Sequence, residues 1–343
     1  MPTLSEFAAE FQRRLDALSA RTARRVTREW RAVQAGDLET GWSVVAPEIA
    51  AVMSTAQVTA ARMGGAYGAR AMVLQGEQDG GQVVAEAFAG VTREGRAVAP
   101  ELYAAVTTTK KLVGAGSGVP AAFRAGAGVL SVLAANIIRD SGRMASGVSA
   151  VSSGSTRYVR VVQPGACSRC AILAGVEGYR TAFERHPGCR CTSMWIADGE
   201  TPDGFFTSPS DYFESLTEAE QEHAFTKSGA WAIREGADPV KVVNSRRGAL
   251  EAAKRPDGSY SLARLRPTTI GVRADGSPLQ VFSTPEGTTA RSTWARQQAL
   301  DVRRSTDRYR RTSTLRLMPE QIQAMSRGPE HARELLRKYG YLY

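Results

Sequence analysis

All four cysteines of this 343-residue chain fall between Cys167 and Cys191, grouped as Cys167-Ser-Arg-Cys170 and His186-Pro-Gly-Cys189-Arg-Cys191. Two donors separated by two residues on a tight turn can face one ion without strain, and both Cys167 with Cys170 and His186 with Cys189 have that spacing. A closed tetrahedral site of this kind clamps two sequence-distant turns into one knuckle. The expected ion is a structural Zn2+ held by Cys167, Cys170, His186 and either Cys189 or Cys191. Five donors compete for four positions, and spacing alone favours Cys189 over Cys191.

Three other readings compete with structural zinc. Two disulfides would need an oxidising compartment. The N-terminal MPTLSEFAAEFQRRLDAL has no apolar run behind a basic start, so no secretory signal is expected and the chain is expected in the cytosol. A redox dithiol would want a βαβ context, which is missing around the motif. A catalytic zinc would keep one position open and want an acid or histidine placed for proton transfer. Glu177 and Glu184 are near in sequence but read as solvated loop acids, and His223 and His331 as surface or packing residues of predicted helices. There is no phosphate loop and no Gly-x-Ser-x-Gly elbow, and the Glu-x-Glu of Glu218 to Glu222 reads as solvent-facing helix charge.

Around this module the chain changes texture. Leu4, Phe7, Phe11, Leu15, Leu18, Val26, Trp30 and Val33 recur at three- and four-residue steps, predicting one amphipathic helix over 4–34. Its opposite face is basic, with Arg13, Arg14, Arg21, Arg24, Arg25, Arg28 and Arg31. Residues 40–150 are Ala-rich, predicting several closely packed helices with breaks at Gly64, Gly65, Gly80, Gly81, Gly114 and Gly116. The longest apolar stretch, Ala125 to Ile138 between Arg124 and Arg139, is shorter than the roughly 20 residues that cross a bilayer, so it reads as a core helix and no membrane-spanning segment is expected. Ser152 to Ser155 reads as a linker.

Tyr158 to Val162 and Thr192 to Ile196 read as strands enclosing the cysteine module. Beyond them Thr217 with Glu220 forms a capping box, Pro239 opens a helix, and Ala274 to Ser277 turns a hairpin between Thr268–Arg273 and Leu279–Ser283. Pro319 and Pro329 start two short helices and Gly340 stops the second. The expected class is α+β: a helical N-terminal domain over 1–154, a small zinc-stapled β-containing module over 155–200, and a mixed C-terminal region over 201–343 ending in a helical hairpin.

A formal net charge of +10, carried mostly by Arg, implies an acidic partner, nucleic acid first. Residues 291–316 hold eight Arg against two Asp. Among them Arg296, Arg303, Arg304, Arg308, Arg310 and Arg311 are candidate phosphate contacts, and Arg304, Arg308 and Arg311 would share one face if the segment were helical. The competing reading is a solvated helix or an Arg network to acidic neighbours.

Cys167-x-x-Cys170, a short apolar and Gly stretch, and His186-Pro-Gly-Cys189-Arg190-Cys191-Thr192 together resemble the head-morphogenesis proteins of tailed bacteriophages, the minor capsid family named after protein F of phage Mu. Tyr212 to Leu216, Ile233 to Asp238, Val242 to Gly248, Arg316 to Ile322 and Tyr339 to Leu342 resemble versions found in phages of actinobacteria. The resemblance spans about residues 155–343; residues 1–154 share only helical character. Leu173-Ala174-Gly175 departs from the Asp-Gly that often follows the first cysteine pair in that family. The resemblance implies a non-enzymatic, low-copy virion protein of the capsid interior, assembled in the host cytoplasm. Its implied partners are the portal protein, the major capsid or scaffold protein and packaged double-stranded DNA, bound without sequence preference. The alternatives are a zinc-dependent enzyme, a hydrolase or toxin-like transferase, and a non-specific DNA-binding protein.

Overall fold

In a computed structural model of the chain, the described residues are 3–33, 37–162, 165–179, 183–186, 188–197, 208–246, 250–254, 260–265, 267–273, 275–284, 301–302, 311–312 and 316–342. They form a mixed helix-and-sheet protein of the α+β class. Two compact units result: residues 1–163 with 174–207, and residues 164–173 with 208–343.

In the first unit, helix α1 (Leu4–Trp30) starts on a capping box the sequence supplies. Thr3 Oγ1 accepts the Glu6 N–H at 3.2 Å and the Glu6 carboxylate accepts the Thr3 N–H at 2.8 Å, which satisfies two backbone donors that a helix start would otherwise leave open. Phe11, Leu15, Val26 and Trp30 of the expected stripe are buried, and the seven arginines of the opposite face are all exposed. Two longer helices, α2 (Leu38–Val73) and α5 (Val119–Ser152), pack on α1 and on each other. Between them run a 3-10 turn (Ala85–Phe88) and the short helices α3 (Val98–Leu102) and α4 (Ala104–Gly114).

Gly64 and Gly65, expected to break a helix, lie inside α2. A methyl group at Gly64 would overlap the carbonyl of Gly142, and one at Gly68 the carbonyl of Ser146. These residues therefore let the α2 and α5 backbones touch, and the close approach offsets their poor helix propensity.

Helix α5 also runs past the apolar stretch read from the sequence, continuing through Arg139, Asp140 and Arg143. Both α2 and α5 are long and apolar enough to cross a membrane by length and composition. Here they bury Gln57, Asn136, Arg139, Asp140 and Arg143 as well as apolar side chains. Gln57 shows how such groups are satisfied: its Nε2 donates to Val91 O at 2.7 Å and to Ser141 Oγ at 3.2 Å, and its Oε1 accepts the Gly90 N–H at 2.9 Å.

The expected linker Ser152 to Ser155 is not a linker. Ser153 and Ser155 are buried, and the Ser155 hydroxyl donates to Ile196 O at 2.8 Å. The chain passes directly into strand β1 (Arg157–Val161), which lies between β2 (Glu177–Tyr179) and β3 (Thr192–Ile196) in an antiparallel sheet. Strands β1 and β3 are those the sequence predicts, in the register Val159 opposite Met194. Val159, Val161, Met194 and Ile196 share one core with α1, α2 and α5. Tyr67 on α2 donates its hydroxyl to Ser193 O at 3.0 Å, and burial raises its pKa well above that of an ordinary phenol. The stretch 155–200, expected as a domain of its own, thus has its strands built into the helical core.

In the second unit, α6 (Ser168–Ala171) packs on α7 (Pro209–Glu214) and α8 (Glu218–Phe225), followed by α9 (Lys227–Arg234) and α10 (Pro239–Ser245). The predicted cap at Thr217 and Glu220 is present at the start of α8, and Asp238 caps α10 ahead of Pro239. Strands β4 (Leu250–Lys254) and β5 (Tyr260–Leu265) pair with each other. The predicted hairpin is β6 (Pro267–Val272) with β7 (Pro278–Thr284); in its turn Gly276 has φ +80° and Asp275 accepts the Ser277 N–H at 2.9 Å.

Strands β8 (Asp301–Val302) and β9 (Arg311–Thr312) pair antiparallel, while β10 (Arg316–Leu317) adds to β7. Arg311 therefore sits on a strand and not on a helix face. Arg296, Arg303, Arg304, Arg308 and Arg310 lie outside the described residues. Arg316, counted in the same basic stretch, is buried: its guanidinium lies 4.1 Å from the Tyr341 ring centroid and donates to Tyr339 O at 2.9 Å. That contact ties β10 to the end of the helical hairpin α11 (Pro319–Met325) and α12 (Pro329–Lys338).

Candidate metal centre

The two cysteine turns are shaped by different means. Cys167 stands at the start of α6, and its carbonyl accepts the N–H groups of Cys170 at 2.9 Å and Ala171 at 3.0 Å. Leu173 N–H closes the next turn on Cys170 O at 3.0 Å. This arm is a single helical turn whose backbone bonds close on itself.

The second arm turns at His186, whose carbonyl accepts the Cys189 N–H at 3.1 Å. Gly188 has φ +78°, the conformation that the third position of a Pro-Gly turn demands and that a side chain opposes. Further bonds go to α5. Asn136 Oδ1 accepts the Gly188 N–H at 2.9 Å, and the Arg143 guanidinium donates to Cys189 O at 2.8 Å and to Cys191 O at 3.0 Å.

Cys167 and Cys170 lie on the first arm and His186, Cys189 and Cys191 on the second. These side chains could hold a metal ion. The four cysteines are thiols and not disulfides; Cys170, Cys189 and Cys191 are buried and Cys167 is exposed. Sulfur with imidazole is a soft donor set that suits a thiophilic ion such as Zn2+, and not the all-oxygen set of Ca2+ or Mg2+.

A buried charge network lies behind the second arm. Asp140 accepts from Arg143 at 3.3 Å and from Arg185 Nε at 2.7 Å, and Asp16 faces Arg139 at 2.7 Å and Arg190 at 3.7 Å. The Phe183 ring lies under both Arg143 and Arg160. Burial lowers the Arg143 pKa from its ordinary value, opposed by the negative charge of Cys189, Asp140 and Cys191. For Arg185 burial acts in the same sense, yet the hydrogen bond and charge of Asp140 outweigh it and the pKa is raised. A reading confined to the cysteines missed these residues. The signal was present: Asn136, Arg139, Asp140 and Arg143 recur at helical steps along one face of an otherwise apolar helix.

The other titratable candidates lie elsewhere. Glu177 is paired with Arg157 at 3.1 Å, and the Glu184 backbone carbonyl accepts from Arg160. His223 lines a small apolar cavity of about 170 Å³ with Tyr212 and Leu216, and His331 Nδ1 accepts the Arg327 N–H at 3.2 Å. Among the described residues none of these joins the cysteine groups. Comparison with protein-family models, with curated proteins and with solved structures finds no match for this chain.

Proposed function

We propose that this chain is a minor capsid and head-morphogenesis protein of a tailed bacteriophage, similar to the Mu protein F family, with one structural Zn2+. The observation that carries the reading is the donor set Cys167, Cys170, His186, Cys189 and Cys191, side chains that could hold a metal ion and on which the resemblance rests. Five candidate donors for the four positions of a closed site favour a structural ion over a catalytic one, which would keep a position for an activated water. The protein works by contact: with the portal, with the major capsid or scaffold protein, and with packaged DNA inside the head. The exposed arginine face of α1 supports a share in sequence-independent phosphate contact.

Two measurements test this. Metal analysis of the reduced, purified chain is expected to find one equivalent of Zn2+; a protein that takes up none removes the metal reading. Protein composition of purified heads of the virus that encodes it is expected to show a few copies per particle, with the gene beside that of the portal. Absence from those heads removes the capsid reading. Retardation of unrelated duplexes, lost steeply as salt rises, is the signature expected of the DNA contact.

A further inference from the structure

The Cys189 and Cys191 carbonyls both accept from one buried guanidinium, that of Arg143, and the turn between His186 and Cys189 is bonded to Asn136 on the same helix, α5. We propose that Arg143 is the positioning residue of the metal site, holding Cys189 and Cys191 in place before any ion arrives, with Asn136 fixing the adjoining turn. This rests on the metal reading above and goes beyond it, by assigning the readiness of half the donor set to a helix that supplies no ligand.

The argument is geometric. A planar guanidinium presents several N–H groups in a fixed fork, so one side chain can bind two carbonyls and set their separation, which a lysine ammonium cannot do with the same rigidity. Arg143 is itself held: Asp140 accepts from it at 3.3 Å and is braced from the other side by Arg185. Its side chain is almost wholly buried, so it has little freedom to follow a moving loop. The sulfur atoms of Cys189 and Cys191 extend from a backbone that is already fixed, and both residues are buried. An ion meeting these two thiols encounters no ordering cost on that side, and removing the brace restores that cost to binding. Groups outside a metal's own ligands that orient them in this way typically change affinity by about ten- to hundred-fold when lost.

The test uses the full chain under reducing conditions, with Zn2+ competed against a chromogenic chelator and Co2+ as a spectroscopic probe. Arg143→Gln is expected to weaken Zn2+ binding by about ten-fold or more. It should also broaden or shift the Co2+ ligand-field bands, with the helical circular dichroism retained. Arg143→Lys should recover part of the loss, because it restores the charge and one carbonyl contact. Arg25→Gln, which breaks only the exposed pair with Glu48, is the control and should bind as the parent does. A folded Arg143→Gln protein with unchanged affinity and an unchanged Co2+ spectrum overturns the proposal. Should Arg143→Gln fail to fold, Asn136→Ala decides: it removes the acceptor of the Gly188 N–H, and weaker Zn2+ binding supports the proposal while parental binding overturns it. A parent protein that binds neither ion overturns the metal reading itself, a result distinct from parental binding that no α5 variant alters.

Discussion

The Cys167–Cys170 turn closes backbone bonds onto neighbours within four residues, whereas the His186–Cys191 turn also bonds to Asn136 and Arg143 on α5, far away in sequence. Each places a pair of donors two residues apart, Cys167 with Cys170 and His186 with Cys189. The first needs only helix geometry, so its shape is cheap and local. The second contains a glycine at positive φ and two carbonyls facing a buried cation, so it depends on a finished core. Equal spacing of ligands in a sequence therefore says nothing about how much of the fold each pair needs.

The strongest challenge to this contrast is Asp140→Ala. It leaves Arg143 and Arg185 without their shared carboxylate in a buried setting, and the expected loss is about 3–5 kcal/mol in denaturant unfolding. Cys167→Ser, made in the first arm, should leave the metal-free protein close to the parent; equal losses from the two would abolish the distinction. Next comes Gly64→Val. Its side chain would meet the Gly142 carbonyl, so forcing α2 from α5 should cost at least about 1–3 kcal/mol and lower the melting temperature.

Gly188→Ala should cost about 1–2 kcal/mol, since the residue sits at φ +78°, and should weaken Zn2+ binding in the same chelator competition. Parental stability there would mean that the second turn relaxes freely and is not held by α5. The smallest effect is expected from Glu177→Gln, which removes a partly exposed ion pair with Arg157. Neither Zn2+ affinity nor the melting temperature should change measurably, and a clear loss of metal would point to a role for that acid at the ion.

Much of the local structure was legible in the sequence because its causes are local. The Thr217 and Glu220 cap, the Asp275-Gly276 hairpin turn, the α1 stripe and the pairing of β1 with β3 each depend on residues close together or on simple alternation. The misreadings share another physical origin. Gly64 looks like a helix break until the Gly142 backbone is seen against it, Ser155 looks like a linker residue until Ile196 accepts its hydroxyl, and Arg316 looks like part of a basic surface until Tyr341 covers it. In each case the deciding partner lies far along the chain. The metal centre divides in the same way: its donors are read from spacing, while Asn136, Asp140, Arg143 and Arg185 gain their meaning only from the packing of α5.

At the crossing of α2 and α5 no side chain stands between Gly64 and the carbonyl of Gly142, and Gly68 meets Ser146 in the same fashion one turn on. A joint of this kind has no cushion. With no flexible rotamers to compress or splay, small tilts of one rod against the other are resisted from the first fraction of an ångström. A large tilt would bare peptide groups along the whole contact at once. Mechanical load on α5 should accordingly be borne up to a threshold and then released abruptly, carrying Arg143 with the helix.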